Sequence, residues 1–383
     1  MGYQLSKTNA DAMFAQWAAK YDIFAPVVMK GAGCFSDTDV IRYDKVRSLD
    51  AIEWQKKSEY SFKEVLLAIN ETLFYFTEDQ TIVPKGPSRE ILVFLRACDL
   101  HAVKRLDEIY LRNGFEDFYY GRVREKVKFI LMGCESSCAS GFCVSMGTNR
   151  ADNYDAYVKV AGDMVLVDVK DEALDIYQSF DCGSAQKNEA DTAAEVQTTK
   201  NEAGTAAEAQ MAKNEAGTAE NVQMTVSCDK MNGMIQVEVT PDFVTENIEK
   251  VTLPKHLSNE SFTKEIWQEY GARCIGCGRC NFACPTCTCF TMQDIFYKDN
   301  PKAGERRRVW ASCQVDGYTD MAGGHGFRQK QGDRMRFKVM HKIYDYEKRF
   351  GYPMCVGCGR CDDICPEYIS YSNCVNRLAK EEA

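Results

Sequence analysis

Two cysteine runs carry the chemistry of this chain. Cys274, Cys277, Cys280 and Cys284 are separated by two, two and three residues, and Pro285 follows; Cys355, Cys358, Cys361 and Cys365 repeat that spacing before Pro366. Two-residue gaps let a loop curl around one side of a metal–sulfide cube and present three thiolates. The fourth thiolate has to come from elsewhere, and paired runs supply it to each other. The spacing therefore predicts one [4Fe–4S] cluster on Cys274, Cys277, Cys280 and Cys365, and a second on Cys284, Cys355, Cys358 and Cys361. Gly276, Gly278, Gly357 and Gly359 let backbone N–H groups approach the sulfurs. Zinc also uses Cys-x-x-Cys pairs, but not a third cysteine at the same gap followed by Cys-Pro, twice over.

A second set is irregular. Cys98 follows one apolar run, and Cys134, Cys138 and Cys143 follow the next. Cysteines just past the ends of two strands can meet in space, so these four are candidates for a third cluster; buried free thiols are the bland reading. Between the regular runs lie Cys287, Cys289 and Cys313, which read either as further ligands or as thiols packed beside the clusters. Cys34, Cys182, Cys228 and Cys374 have no assigned role. A basic run, Arg328, Lys330, Arg334, Arg336, Lys338 and Lys342, reads as a docking face for an acidic partner or as a solvated surface.

The elements that must position these residues are mixed. Met13, Phe14, Trp17 and Ala18 give one apolar helical face, and Phe62 to Ile69 repeats the pattern. Thr72 to Phe76, Glu90 to Leu95 and Val127 to Met132 read as strands, the last two as buried runs. Asp99 to Leu111 reads as a helix with Asp99 at its N-cap. Tyr157 to Val169 reads as strands, alternation returns around Met234 to Val239, and Thr263 to Tyr270 reads as a helix leading into the first run. The expected class is α+β: an N-terminal mixed α/β domain (1–182), a repeat insertion (183–226), a return of the N-terminal sheet (227–254), and a dicluster ferredoxin-like domain (255–383). Within the insertion, Lys187, Lys200 and Lys213 open three degenerate units 13 residues apart. The stretch 187–224 holds almost no large apolar side chain and cannot bury a core, so it is expected to be disordered or loosely helical.

Composition narrows the function. A net charge of −9 over 383 residues argues against nucleic acid as a partner. There is no apolar run long enough for a membrane span, and Met1 to Lys20 carries Lys7, Asp11 and Lys20, unlike a signal peptide. Nineteen cysteines in such a chain suit a reducing cytoplasm, and oxygen-sensitive clusters suit an anaerobic one. No GxGxxG fingerprint follows a strand, no P-loop is present, and His101, His256, His325 and His341 are scattered. The chain reads as a wire without a catalytic group of its own.

Several motifs outside the regular runs carry a resemblance. Cys98-Asp99-Leu100 with Ala102, Leu106 and Asp107, then Asp117, Tyr119, Tyr120, Val123 and Arg124, then Cys134 and Phe142-Cys143-x-Ser145-Met146-Gly147 resemble the N-terminal domain of anaerobic sulfite reductase A subunits and sulfhydrogenase β subunits. Cys284 to Phe290, Arg308-x-Trp310-x-Ser312-Cys313 and His341-Lys342-x-x-Tyr344 resemble the same group. The likeness covers nearly the whole chain except 187–224. It implies a non-catalytic electron-transfer subunit with two partners: a flavin-containing subunit that oxidises NADH, and a sirohaem subunit that reduces sulfite to sulfide. The alternatives it leaves open are the β subunit of a cytosolic NiFe (sulf)hydrogenase and a free-standing ferredoxin-like carrier.

Overall fold

Strand β6 (Glu90–Leu95) explains the N-terminal architecture. Its last five residues are all buried, so both faces of the sheet must be covered. Alternate side chains do this. Phe94 faces helix α1 (Lys7–Lys20), its ring 6.3 Å from Phe14. Val93 and Leu95 face helix α3 (Ala97–Tyr110), in one core with Leu100, Val103 and Leu106. Each such large apolar side chain contributes about 1.5–3 kcal/mol by leaving water.

The computed structural model describes residues 2–33, 37–177 and 234–382. Around β6 lie β1 (Gly2–Ser6), β2 (Tyr21–Met29), β3 (Val40–Lys45), β7 (Val127–Met132), β8 (Ala156–Ala161), β9 (Met164–Val169) and β10 (Met234–Gln236). They form an eight-stranded sheet in the order β10-β1-β9-β8-β7-β6-β2-β3. The centre, β2, β6, β7 and β8, is parallel, and the flanks are antiparallel. The α/β character expected for the N-terminal part is present, and so is a C-terminal helix-rich segment around the cysteine runs.

A second sheet takes strands from both sides of residue 255. β4 (Asn70–Phe76) and β5 (Thr81–Ile82) pair with a long hairpin, β11 (Phe290–Tyr297) and β12 (Asn300–Trp310), in the order β11-β12-β4-β5. Arg308 of β12 reaches Glu71 at 2.8 Å and Asp117 at 2.6 Å, which fixes this hairpin to the N-terminal elements. Helices α2 (Lys63–Leu66) and α4 (Phe118–Arg124) complete that side. The helical pattern expected over 62–69 shrinks to α2, four residues long, because the chain enters β4 at Asn70.

The C-terminal core packs α5 (Ile266–Arg273), α7 (Gln331–Met340) and the Tyr371–Glu381 helix around Trp267, Val339, Tyr371 and Leu378. α6 (Arg279–Phe282) and the Arg360–Asp363 helix are the single turns inside the two cysteine runs. The two cores interlock: Phe142 packs in the C-terminal core and Val356 in the N-terminal one.

All these elements belong to one compact unit, Met1–Ile176 with Gly233–Ala383; the second unit, Tyr177–Asn232, lies outside the described residues except for Tyr177. The repeat insertion and Cys34, Cys182 and Cys228 therefore fall outside them. Among the described residues no helix is long and apolar enough to cross a membrane.

Candidate iron–sulfur centres

The chain folds its cysteines around cavities. Cys274, Cys277, Cys280 and Cys365 line the first, of about 30 Å³. Cys284, Cys355, Cys358 and Cys361 line the second, of about 20 Å³. In each, three cysteines come from one run and the fourth from the other. The cause is local: Gly278 and Gly359 take φ of +77° and +73° at the entrance to a single helical turn, and that turn throws the fourth cysteine towards the other run. Backbone N–H groups aim at the sulfurs, from Gly276 to Cys274 and Gly357 to Cys355 at 3.4 Å each, and from Ile369 to Cys365 at 3.3 Å.

A third cavity, of about 20 Å³, is lined by Cys98, Cys134, Cys138 and Cys143. Topology gathers them. β6 and β7 are parallel neighbours, so Cys98 at the start of α3 and Cys134 after β7 leave the sheet at the same edge. The 138–143 loop then lies on the second run. Phe142 N–H donates to the Gly357 carbonyl at 2.7 Å, and Ser140 Oγ donates to the Gly359 carbonyl at 3.2 Å. A Cβ on Gly359 would sit 2.3 Å from the Ser140 carbonyl oxygen, so only glycine permits this approach. Burial pushes the thiols of Cys98, Cys134 and Cys143 upward, Cys98 most strongly.

The cavities share walls. Cys358 lines the second and third, and Cys361 lines the first and second. Asp99 is part of this joint. The sequence suggests it as the N-cap of α3, but Arg96 occupies that position and makes no side-chain cap. Asp99 instead forms a fully buried bidentate pair with Arg360, at 2.6 and 2.9 Å, which ties α3 to the second run. Lys57 adds a second tie, donating to the Cys358 carbonyl at 2.6 Å and pairing with Asp363 at 2.7 Å.

Three buried lysines test whether anionic groups fit these cavities. Lys63, Lys338 and Lys342 are 3, 4 and 5% exposed. None has a carboxylate within ion-pair distance among the described residues. Lys63 donates to the Cys287 carbonyl at 2.9 Å, and Lys342 to Thr286 Oγ1 at 2.9 Å. Lys338 lines the first two cavities. Buried ammonium groups are costly unless an opposite charge lies close. Thiolate-bound clusters in these cavities would supply that charge. Burial opposes the Lys338 cation, yet the Cys280 and Cys361 sulfurs hold its pKa well above the ordinary value. Burial pulls Lys63 down, and the nearby Lys342 charge adds to it, against the opposing Cys287 and Cys284 sulfurs. Arg334, Lys338 and Lys342 therefore correct the surface reading of the basic run: they occupy one inward face of α7 and the turn after it, while Lys330 remains exposed. Sequence reasoning missed the lysines as part of the site. Their four-residue spacing was visible, but an inward cationic stripe makes sense only beside anions.

Cys287, Cys289 and Cys313 line a fourth and larger cavity, of about 210 Å³. Cys374 is buried in the C-terminal core, away from all four linings.

Residues 273–369 match the 4Fe-4S dicluster domain family, so this segment is an iron–sulfur domain. The chain is 26% identical over 334 residues to sulfhydrogenase 2 subunit beta of Pyrococcus furiosus, covering 86% of each protein. No solved structure matches.

Proposed function

We propose that this chain is the electron-relay subunit of a multi-subunit oxidoreductase, and that it carries three [4Fe–4S] clusters in series. Cys274, Cys277, Cys280 and Cys365 hold the first, Cys284, Cys355, Cys358 and Cys361 the second, and Cys98, Cys134, Cys138 and Cys143 the third. The observation that carries this reading is the run of three cysteine-lined cavities joined by Cys358 and Cys361. When bound, each cluster supplies a one-electron redox level. The protein's part is to fix the order of the centres, exclude water, and set potentials through the N–H groups of Gly276, Gly357 and Ile369 and the buried ammonium of Lys338.

The motifs around Cys98, Phe142 and Arg308 resemble anaerobic sulfite reductase A subunits and sulfhydrogenase β subunits alike, and the first of these, a sulfite-reducing complex, is the reading adopted. On that reading a flavin subunit oxidises NADH and a sirohaem subunit reduces sulfite to sulfide. The Pyrococcus relative favours a second destination, a sulfhydrogenase-type complex in which the same relay serves another catalytic subunit. Purifying the chain with its native partners separates them. Sirohaem and FAD in the complex, with NADH-driven sulfite reduction, are the expected result. A nickel-containing partner and no sirohaem would assign the relay to the second destination. Sulfite reduction by the isolated chain would overturn the relay role.

A further inference from the structure

The segment between the two cysteine runs brings three free thiols together. Cys289 directly precedes β11, and Cys313 lies three residues past β12. Phe290 pairs with Trp310, and the Ala311 N–H donates to the Cys289 carbonyl at 3.0 Å, so the hairpin closes at its base. Cys289 therefore stands opposite Ala311, and Cys313, two positions on, returns to its side. The Cys289 thiol is in hydrogen-bond contact with the sulfurs of both Cys287 and Cys313. Thiols that touch leave no room between them for a metal–sulfide cube. Among the described residues no three His, Cys, Asp or Glu side chains are arranged to hold one ion. Contact between sulfurs is instead the starting geometry of a disulfide.

The surroundings prepare one sulfur to leave. Asn281 Nδ2 donates to Cys313 Sγ at 3.0 Å, and Gln314 Nε2 reaches the same atom at 3.6 Å. Both amides are anchored, Asn281 on Ser312 Oγ at 3.0 Å and Gln314 on the Arg334 carbonyl at 2.8 Å. With the Cys289 S–H as the largest influence, they pull the Cys313 thiol down to about 6 against burial. Cys289, donating to two sulfurs, is pushed up and keeps its proton. A thiol that departs as a thiolate gives up its disulfide fastest. Cys287 also touches Cys289, but a bond between them would close a strained ring over one intervening residue.

The site adjoins the second centre. Cys287 N–H donates to the carbonyl of Cys284 at 3.4 Å, and Lys338 and Lys342 line both cavities. We propose that Cys289 and Cys313 form a redox-active dithiol/disulfide couple, an electron-pair store filled one electron at a time from the second iron–sulfur centre. Two electrons from that centre break the S–S bond. One solvent proton goes to Cys289, which is half-buried beside the half-exposed Tyr318, and Cys313 stays a thiolate under its amide donors. Reoxidation returns both electrons to the relay and the proton to solvent. The inference rests on the relay reading and adds a two-electron station to it.

The test uses the full chain purified without oxygen. One series is poised electrochemically with methyl viologen, and a second in mixtures of reduced and oxidised dithiothreitol. Each sample is quenched in acid, alkylated and digested without reductant, and the peptide pair linked through Cys289 and Cys313 is quantified by mass spectrometry. The expected ratio of linked to free peptide changes about tenfold per 30 mV, the slope of a two-electron couple. Cys313→Ser should abolish the linked pair and keep the paramagnetic signals of the clusters, and Cys287→Ser should keep the linked pair. In Cys358→Ser the couple should titrate normally in dithiothreitol but be reduced by viologen about tenfold more slowly or worse, for want of the second centre. A wild-type chain with no Cys289–Cys313 link at any potential would overturn the couple, and that measurement stands even if a variant fails to fold. A link between Cys287 and Cys289 instead would overturn the pairing. Equal viologen rates in wild type and Cys358→Ser would overturn the connection to the second centre. Failure of the relay reading alone would show differently, as a wild-type chain without cluster signals whose disulfide still titrates in dithiothreitol.

Discussion

The C-terminal and N-terminal cysteine cavities have similar volumes and are built in opposite ways. In the C-terminal pair, chain-local geometry does the work: two-residue gaps, left-handed glycines and one helical turn place three cysteines from a single short stretch of chain. In the N-terminal cavity almost nothing is local. Cys98 and the 134–143 loop meet only because β6 and β7 are parallel neighbours and because the loop docks on Gly357 and Gly359. A locally encoded site should survive damage that a topologically encoded one does not.

The sharpest way to break the comparison is Arg360→Met. It leaves Asp99 buried without a partner, a loss of about 3–5 kcal/mol of stability. Denaturant unfolding measures that loss. Iron counts on the folded fraction should show the N-terminal site emptying while the paired runs keep their iron. Next in size is Gly359→Ala. A Cβ there meets the Ser140 carbonyl, and the backbone stays at φ +73°, so the expected cost is about 2–4 kcal/mol. This residue serves both sites, so both should lose iron together, in contrast to Arg360→Met.

A gentler substitution sharpens the account of the lysines. Lys338→Met removes a buried cation facing the first and second cavities while keeping its volume. Loss of positive charge disfavours the reduced clusters, so their midpoint potentials should fall in a redox titration, with that of the N-terminal centre moving least. The smallest effect is expected from deleting 187–224, which should leave iron content and unfolding midpoint unchanged, since nothing in that composition can be buried or ligate iron.

What was legible in the sequence follows the same division. The Cys-x-x-Cys spacing and the buried runs at Glu90–Leu95 and Val127–Met132 could be read directly, because each is a local periodicity. The Cys98, Cys134, Cys138 and Cys143 set could be proposed only by guessing that two strands end side by side. The β11–β12 hairpin was not read at all: most of β11 is exposed, and β12 carries Arg306, Arg307 and Arg308, so neither shows the apolar alternation of a half-buried strand. Asp99 suggested a cap because nothing nearby in sequence hints at Arg360, 261 residues away. Lys338 and Lys342 read as part of a docking face or solvated surface in the sequence because the groups they face are ones that the amino-acid sequence does not write out.

The central claim is that electrons pass through the second cavity, where the two regions join at Cys358. In the proposed sulfite-reducing complex, the direct measurement is NADH-driven sulfite reduction by the assembly carrying Cys358→Ser, with NADH oxidation by an artificial acceptor measured in parallel. The account predicts that sulfite reduction is lost while the artificial-acceptor reaction persists. Sulfite reduction at the wild-type rate, in a complex shown by iron analysis to lack the second cluster, would contradict it.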